Sequence, residues 1–209
     1  DQPGGGNTCS NRCGAWLPGL CGPENGAFTW RLEWFGAGGG YSEAGFAEFC
    51  KKLTLDNRSR MNLEPFQARL LSGHFGGAQE VVCLLPKKNY KTTMMAALGL
   101  FHLLTTEDAE CVIGASSRDQ ATILFRQAEG LVRRSELPGF EVKTGYREIR
   151  YYGGRMRVLA ADAATADGVI PTLALVDELH RHPSGDLYGV FRDGLEARGG
   201  RMITISTAG

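Results

Sequence analysis

Short apolar runs recur along the chain from residue 80 onward: "EVVCLL" (80–85), "ECVIGA" (110–115), "PTLALVDE" (171–178) and "RMITISTAG" (201–209). Each is strand-length, rich in aliphatic residues and without polar alternation, which reads as a strand buried on both faces. Helix-length segments separate them. Thr92 to Leu104 reads as a helix, and Ser117-x-x-Gln120 is a capping-box pattern opening another that runs to about Arg134. Alternating strands and helices of this kind predict an α/β fold, a mostly parallel sheet flanked by helices. In such sheets chemistry gathers at the carboxyl ends of the strands. "REIRYYGGRMRVLAA" predicts a hairpin turning at Gly153-Gly154. Upstream, "YSEAGFAEFCKKL" places Phe46, Phe49, Cys50 and Leu53 at helical spacing, and "LEPFQARLLSGHF" reads as a second helix.

Residues 1–40 differ in kind. "DQPGGGN", "LPGLCGPENG" and "GAGGG" are too rich in Gly and Pro for long regular elements, so a poorly ordered or extended leader is expected there, with the globular domain spanning 41–209. The 209 residues suffice for one sizeable domain, and 43% hydrophobic with 22% charged residues is an ordinary globular composition. Lysine plus arginine equals aspartate plus glutamate at 23 each, so any nucleic-acid contact must come from a local patch rather than from net charge. No apolar stretch reaches membrane-spanning length. Cys83 and Cys111 fall within apolar runs and are expected to be buried thiols. Cys9, Cys13 and Cys21 lack metal-site spacing.

"LLPKKNYKTT" (84–93) joins the first apolar run to the helix after it. Lys91 and Thr92 could supply the ammonium and hydroxyl of a phosphate-binding loop, while Lys87 and Lys88 add positive charge. The pattern G-x-x-x-x-G-K-[ST], however, would place glycine at Leu85 and Tyr90. A basic turn is the plainer alternative. Asn tolerates left-handed φ, so Asn89 is expected to carry the unusual backbone angle, with Tyr90 helical and its ring turned away from the phosphates. "TLALVDELH" delivers Asp177 and Glu178 at the end of a buried strand, as in a Walker B motif. A helix-capping acid pair is the alternative there. Some 30 residues later the last apolar run ends in "STAG".

In this order and spacing, "LEPFQ", "LLPKKNYKTT", "ASSRDQATILF", "DAATADGVIPTLALVDELH", "LYGVFRDGLEARGG" and "ITISTAG" resemble the ATPase domain of the large terminase subunit of tailed double-stranded DNA bacteriophages. The resemblance covers roughly 41–209 and implies a RecA-like, additional-strand P-loop NTPase domain. It implies ATP and Mg²⁺, with the nucleotide contacted by Gln67 (reading adenine), Pro86, Lys87, Lys88, Asn89, Tyr90, Lys91, Thr92 and Thr93. Thr92 and Asp177 would serve Mg²⁺, Glu178 would be the catalytic base, and Ser206, Thr207 and Ala208 would couple hydrolysis to DNA movement. A transition-state arginine is implied, in cis or from a neighbouring subunit. Arg118, Arg157 and Arg198 are the candidates, with Arg198 placed first, although each also reads as a surface or structural arginine.

Implied partners are the duplex DNA backbone, the small terminase subunit, the portal protein and further copies of the chain. The implied setting is the cytoplasm of an infected bacterium. The family's RNase H-like nuclease domain would follow residue 209, so no nuclease activity is expected of these residues. "DELH" and "STA" also fit a superfamily 2 DExH helicase, and Tyr90 leaves open a non-hydrolysing nucleotide-binding module.

Overall fold

Ser42 opens the first described helix by accepting the Gly45 N–H on its hydroxyl at 3.1 Å. Glu43–Lys52 (α1) follows and buries Phe46, Phe49 and Cys50 on one face. The structure, a computed structural model, describes residues 40–86, 89–159, 168–178 and 185–207, without the Arg118 side chain. The expected leader lies outside these residues except for Gly40, as do Cys9, Cys13 and Cys21. Pro65–Phe75 (α2) starts with Pro65 in its first turn and a reciprocal capping box between Glu64 and Gln67. Glu80–Leu84 (β1), Lys91–Thr105 (α3), Glu110–Ala115 (β2) and Arg118–Ser135 (α4) then alternate as expected. Ser117 caps α4, accepting the Gln120 N–H at 3.2 Å. Phe140–Lys143 (β3), Glu148–Tyr151 (β4), Gly154–Val158 (β5), Leu173–Asp177 (β6), Asp186–Leu195 (α5) and Arg201–Ser206 (β7) complete the described elements.

The seven strands form one sheet in the order β1-β7-β6-β2-β5-β4-β3. All pairings from β1 to β5 are parallel, and β4 and β3 add an antiparallel edge. The mostly parallel sheet is therefore as predicted, but two local expectations are not met and two elements were not anticipated. β1 is not a buried strand. It forms one edge of the sheet among the described residues, leaving Val82 55% and Leu84 64% exposed while Cys83 faces the core. An apolar run reports strand propensity but not which strand ends at the edge. The hairpin turns at Tyr152-Gly153 instead of Gly153-Gly154, because Tyr151 pairs with Gly154 and Tyr152 takes φ 49. β3 and α5, which the apolar pattern did not single out, fill the far edge and the second face.

α3 packs centrally on one face and is buried almost throughout. Its approach is close: a Cβ at Gly99 would meet Met156 Sδ at 2.9 Å and Leu175 Cδ1 at 3.1 Å. α5 covers part of the other face, setting Leu187, Phe191 and Leu195 against Val112, Ala174, Val176 and Met202. Cys83 and Cys111 are buried free thiols, as expected. Among the described residues no helix is long and apolar enough to cross a membrane.

Two buried histidines, His74 on α2 and His102 on α3, anchor their helices at the amino-terminal end of the sheet. Tyr41 Oη lies 2.5 Å from His74 Nε2, His102 Nε2 lies 2.8 Å from Thr172 Oγ1, and Arg201 donates to the His74 carbonyl at 2.7 Å. Burial, then the nearby Arg201 charge, lowers His74 to about 4. Burial, then His74 and Arg201, lowers His102 to about 3. The unfolded chain takes up these protons near pH 6.5 and the folded one resists them. Stability from the neutral pair is therefore complete above pH 6.5 and is lost as pH falls towards 4 and then 3. His74 alone corresponds to about 3 kcal/mol, so Tm should fall by roughly 10 °C between pH 7 and 4.5. Calorimetry finding a level Tm, or an unchanged fall in a His74→Gln/His102→Gln variant, would refute this.

Candidate functional site

β6 is buried at all five positions and lies between β7 and β2. Its direction brings Asp177 and Glu178 to the carboxyl end of the sheet, beside the end of β7 and the loop leaving β1. Leu85 N–H donates to the Ser206 carbonyl at 3.0 Å, holding that loop against β7. Asn89 Nδ2 folds back onto the Pro86 carbonyl at 3.1 Å, and Gln67 Nε2 reaches the Asn89 carbonyl at 3.4 Å. α3 then begins at Lys91. No side chain caps its first turn, so the N–H groups of Lys91, Thr92 and Thr93, which lack intrahelical partners, face the loop with the positive end of the helix dipole.

The backbone expectation for this loop fails. Tyr90, not Asn89, carries the left-handed angle, at φ 52 and ψ 24. Tyr90 is the N-cap of α3, where the pattern has glycine, and that position sets the turn whatever residue fills it. For a residue with a Cβ this geometry costs about 1–2 kcal/mol. Tyr90 as a residue is 66% exposed.

Lys91 is buried and its ammonium ion-pairs with Glu178. Lys91 Nζ also donates to Thr207 Oγ1 at 2.5 Å. The Thr207 hydroxyl lies 2.9 and 3.0 Å from the two Glu178 carboxylate oxygens. Residues from the starts of α3 and the ends of β6 and β7 thus meet at one point. Glu178 takes φ 51, an unfavourable angle for glutamate, where β6 ends. Asp177 beside it is buried. Burial raises its pKa first, the Lys91 charge opposes that, and Glu178 raises it again. The two carboxylates and the lysine form one electrostatic unit. Asp177 and the Thr92 hydroxyl offer hard oxygen donors suited to Mg²⁺.

Of the other expected site residues, Ser206 ends β7 at this same end of the sheet. Lys87, Lys88 and Ala208 lie outside the described residues. Arg198 lies at the opposite end of the sheet. It ends the short turn Glu196–Arg198 before β7 and donates to the Asp108 carbonyl at 3.2 Å. At about 3.3 Å per strand residue, the length of β7 separates it from Lys91 by roughly 17 Å. Arg198 therefore cannot reach phosphates held by its own chain. Arg157 is tied to Glu110 at 2.7 Å, beside the Arg155–Glu110 pair. Of the three arginines only Arg118, at the start of α4, has its backbone at the same end of the sheet as Asp177 and Glu178.

A region that the motifs did not mark borders the site. The irregular segment 54–62, pinned by a Thr54–Arg60 bridge, faces Gln67, Tyr90 and Thr93 across a cleft of about 220 Å³. Only the turn residues "LDNRS" hinted at it, and they speak of a loop, not of a site.

Residues 72–209 match the family model for the ATPase domain of the terminase large subunit. The chain belongs to this family. The terminase large subunit of Enterobacteria phage HK97 is 28% identical over 138 residues, covering 56% of this chain and 25% of that protein. The chain thus spans about a quarter of the length of that relative. The crystal structure of the HK97 large terminase superposes with a TM-score of 0.67 at 23% identity, covering 77% of this chain and 36% of that one. The ATPase domain of the Thermus phage P74-26 large terminase gives 0.54 at 19% identity over 70% of each chain. The UvsW helicase of bacteriophage T4 gives 0.57 at 14% identity, covering 78% of this chain and 60% of that one. At such identities the structural likenesses show the fold alone, a mixed α/β architecture that terminases and a helicase share. The family match is what separates the terminase expectation from the DExH helicase one.

Proposed function

We propose that residues 41–209 are the ATP-hydrolysing motor domain of a terminase large subunit that drives double-stranded DNA into procapsids. The observation that carries this reading is the convergence of Lys91, Thr207 and Glu178 beside Asp177. Such a grouping has no structural need for two adjacent acids, yet it suits a triphosphate and an attacking water. Lys91 and the first-turn N–H groups of α3 would hold the β- and γ-phosphates. Thr92 and Asp177 would hold Mg²⁺, which supplies charge neutralisation on the phosphate oxygens when bound.

Glu178 would orient water and accept its proton. A γ-phosphate competes with Glu178 and Thr207 for the Lys91 ammonium. Nucleotide arrival therefore frees Glu178 and alters the end of β7, a direct path from hydrolysis to Ser206-Thr207-Ala208. Arg118 of this chain or a neighbour is better placed than Arg198 to supply the transition-state arginine.

DNA contacts would be to backbone phosphates and hence sequence-tolerant and weakened by salt. The small terminase subunit, the portal and further copies of the chain would complete the motor in the infected host's cytoplasm. Steady-state hydrolysis by the full-length protein tests the reading: turnover should rise with duplex DNA and fall as salt increases. ATP binding without turnover, with DNA and packaging partners present, would leave a non-hydrolysing module instead.

A further inference from the structure

Tyr90 stands where the phosphate-loop pattern has glycine, and glycine would take its backbone angle without strain. The exposed ring buries little surface in exchange, so the described fold offers no reason of its own for an aromatic residue there. The ring does have a place beside the 54–62 cleft, which begins at Thr93 in the first turn of α3. A phosphate chain held at that helix end leads the rest of its nucleotide towards this cleft.

The opposite wall is firmly built. Met61 N–H donates to the Leu53 carbonyl at 2.9 Å, and Arg60 Nη1 donates to the Lys52 carbonyl at 2.8 Å. Asn57 Oδ1 accepts the Ser59 N–H and hydroxyl at 3.0 and 2.7 Å. The buried Gln67 forms the floor, with Oε1 accepting the Glu64 N–H at 3.0 Å. The exposed Tyr90, three carboxamide residues (Asn57, Asn62 and Gln67) and Arg60 line the cleft. Together they fit a flat heteroaromatic ring with hydrogen-bonding edges.

We infer that Tyr90 is a base-binding residue: the nucleobase of the bound nucleoside triphosphate stacks on its ring, with the 54–62 segment as the opposite wall. The glycine-free loop thereby joins base recognition to phosphate binding in one residue. This rests on the nucleotide reading above, and the two can fail separately.

The test is equilibrium binding of ATP and of inorganic tripolyphosphate, each with Mg²⁺, to the full chain and to its Tyr90→Phe and Tyr90→Gly variants. Tyr90→Phe should bind ATP like the parent. Tyr90→Gly should lose about 5- to 100-fold in ATP affinity, the usual worth of one aromatic–base stack. Its tripolyphosphate affinity should stay within about threefold or improve. Equal ATP affinity in Tyr90→Gly would overturn the inference, whether or not the variant then assembles poorly with other copies. Parallel loss of ATP and tripolyphosphate would also overturn it, by making Tyr90 a determinant of loop geometry. A parent chain that binds neither ligand would sink the nucleotide reading itself.

Discussion

Glu178→Gln should reduce the steady-state rate of ATP hydrolysis by about 10²- to 10⁴-fold, the usual contribution of a positioned general base. ATP binding should be retained. The substitution preserves shape, and a glutamine carbonyl can still accept the Thr207 hydroxyl that now lies 2.9 Å from the carboxylate. In the proposed mechanism the lost charge is the one that would take a proton from water. It is also the partner of the buried Lys91 ammonium, so the nucleotide-free variant should melt below the parent and recover when ATP and Mg²⁺ give Lys91 new partners. Turnover above a tenth of the parent rate would remove Glu178 from the catalytic role and leave it as a structural counter-ion.

Lys91→Ala should have the larger effect on the protein itself. Its side chain is 11% exposed and that of Glu178 16%, so truncation leaves two neighbouring carboxylates without their buried cation. Breaking a buried pair in this way costs about 3–5 kcal/mol, or roughly 6–20 °C in Tm for a chain of this size. The loss should depend on pH. Lys91 is the charge that most opposes the upward shift of Asp177, so without it that carboxyl is pushed further up.

A carboxyl raised in the folded state contributes stability that is present at low pH and lost as pH rises through its folded value. The gap between variant and parent should therefore be widest near neutrality and close towards pH 4. ATP affinity should fall by about 10- to 150-fold, the worth of a hydrogen bond to a charged group. Melting curves showing a pH-independent gap, or unchanged ATP affinity, would count against the assigned role of Lys91.

Much of this site is legible before any coordinates. The strand–loop–helix at 80–105 and the strand ending Asp177-Glu178 are local patterns, carried by residues adjacent in sequence. Their joint order points to the terminase family although the loop lacks both glycines. The loop's own geometry was not legible. Asn89 is the residue type that best tolerates positive φ, but the angle belongs to Tyr90 because the N-cap position of α3 demands it. Propensity ranks residues for a conformation, while the chain's path decides which residue must adopt it. Arg198 misled for a related reason. It is close in sequence to the last strand yet at the wrong end of it, since nearness along the chain says nothing about which end of a parallel strand meets the site.

The sequence by itself determined the α/β class, the parallel strands, the strand–loop–helix around Lys91 and the acid pair at a strand end, because each depends on spacing within a short segment. Only the tertiary structure decided that β1 lies at the edge among the described strands and that Thr207 bridges Lys91 and Glu178. It also decided that the unmarked 54–62 segment faces Tyr90 across a cleft. These are contacts between residues tens to more than a hundred positions apart. Strand order and helix packing alone bring such residues together, and no local pattern encodes that meeting.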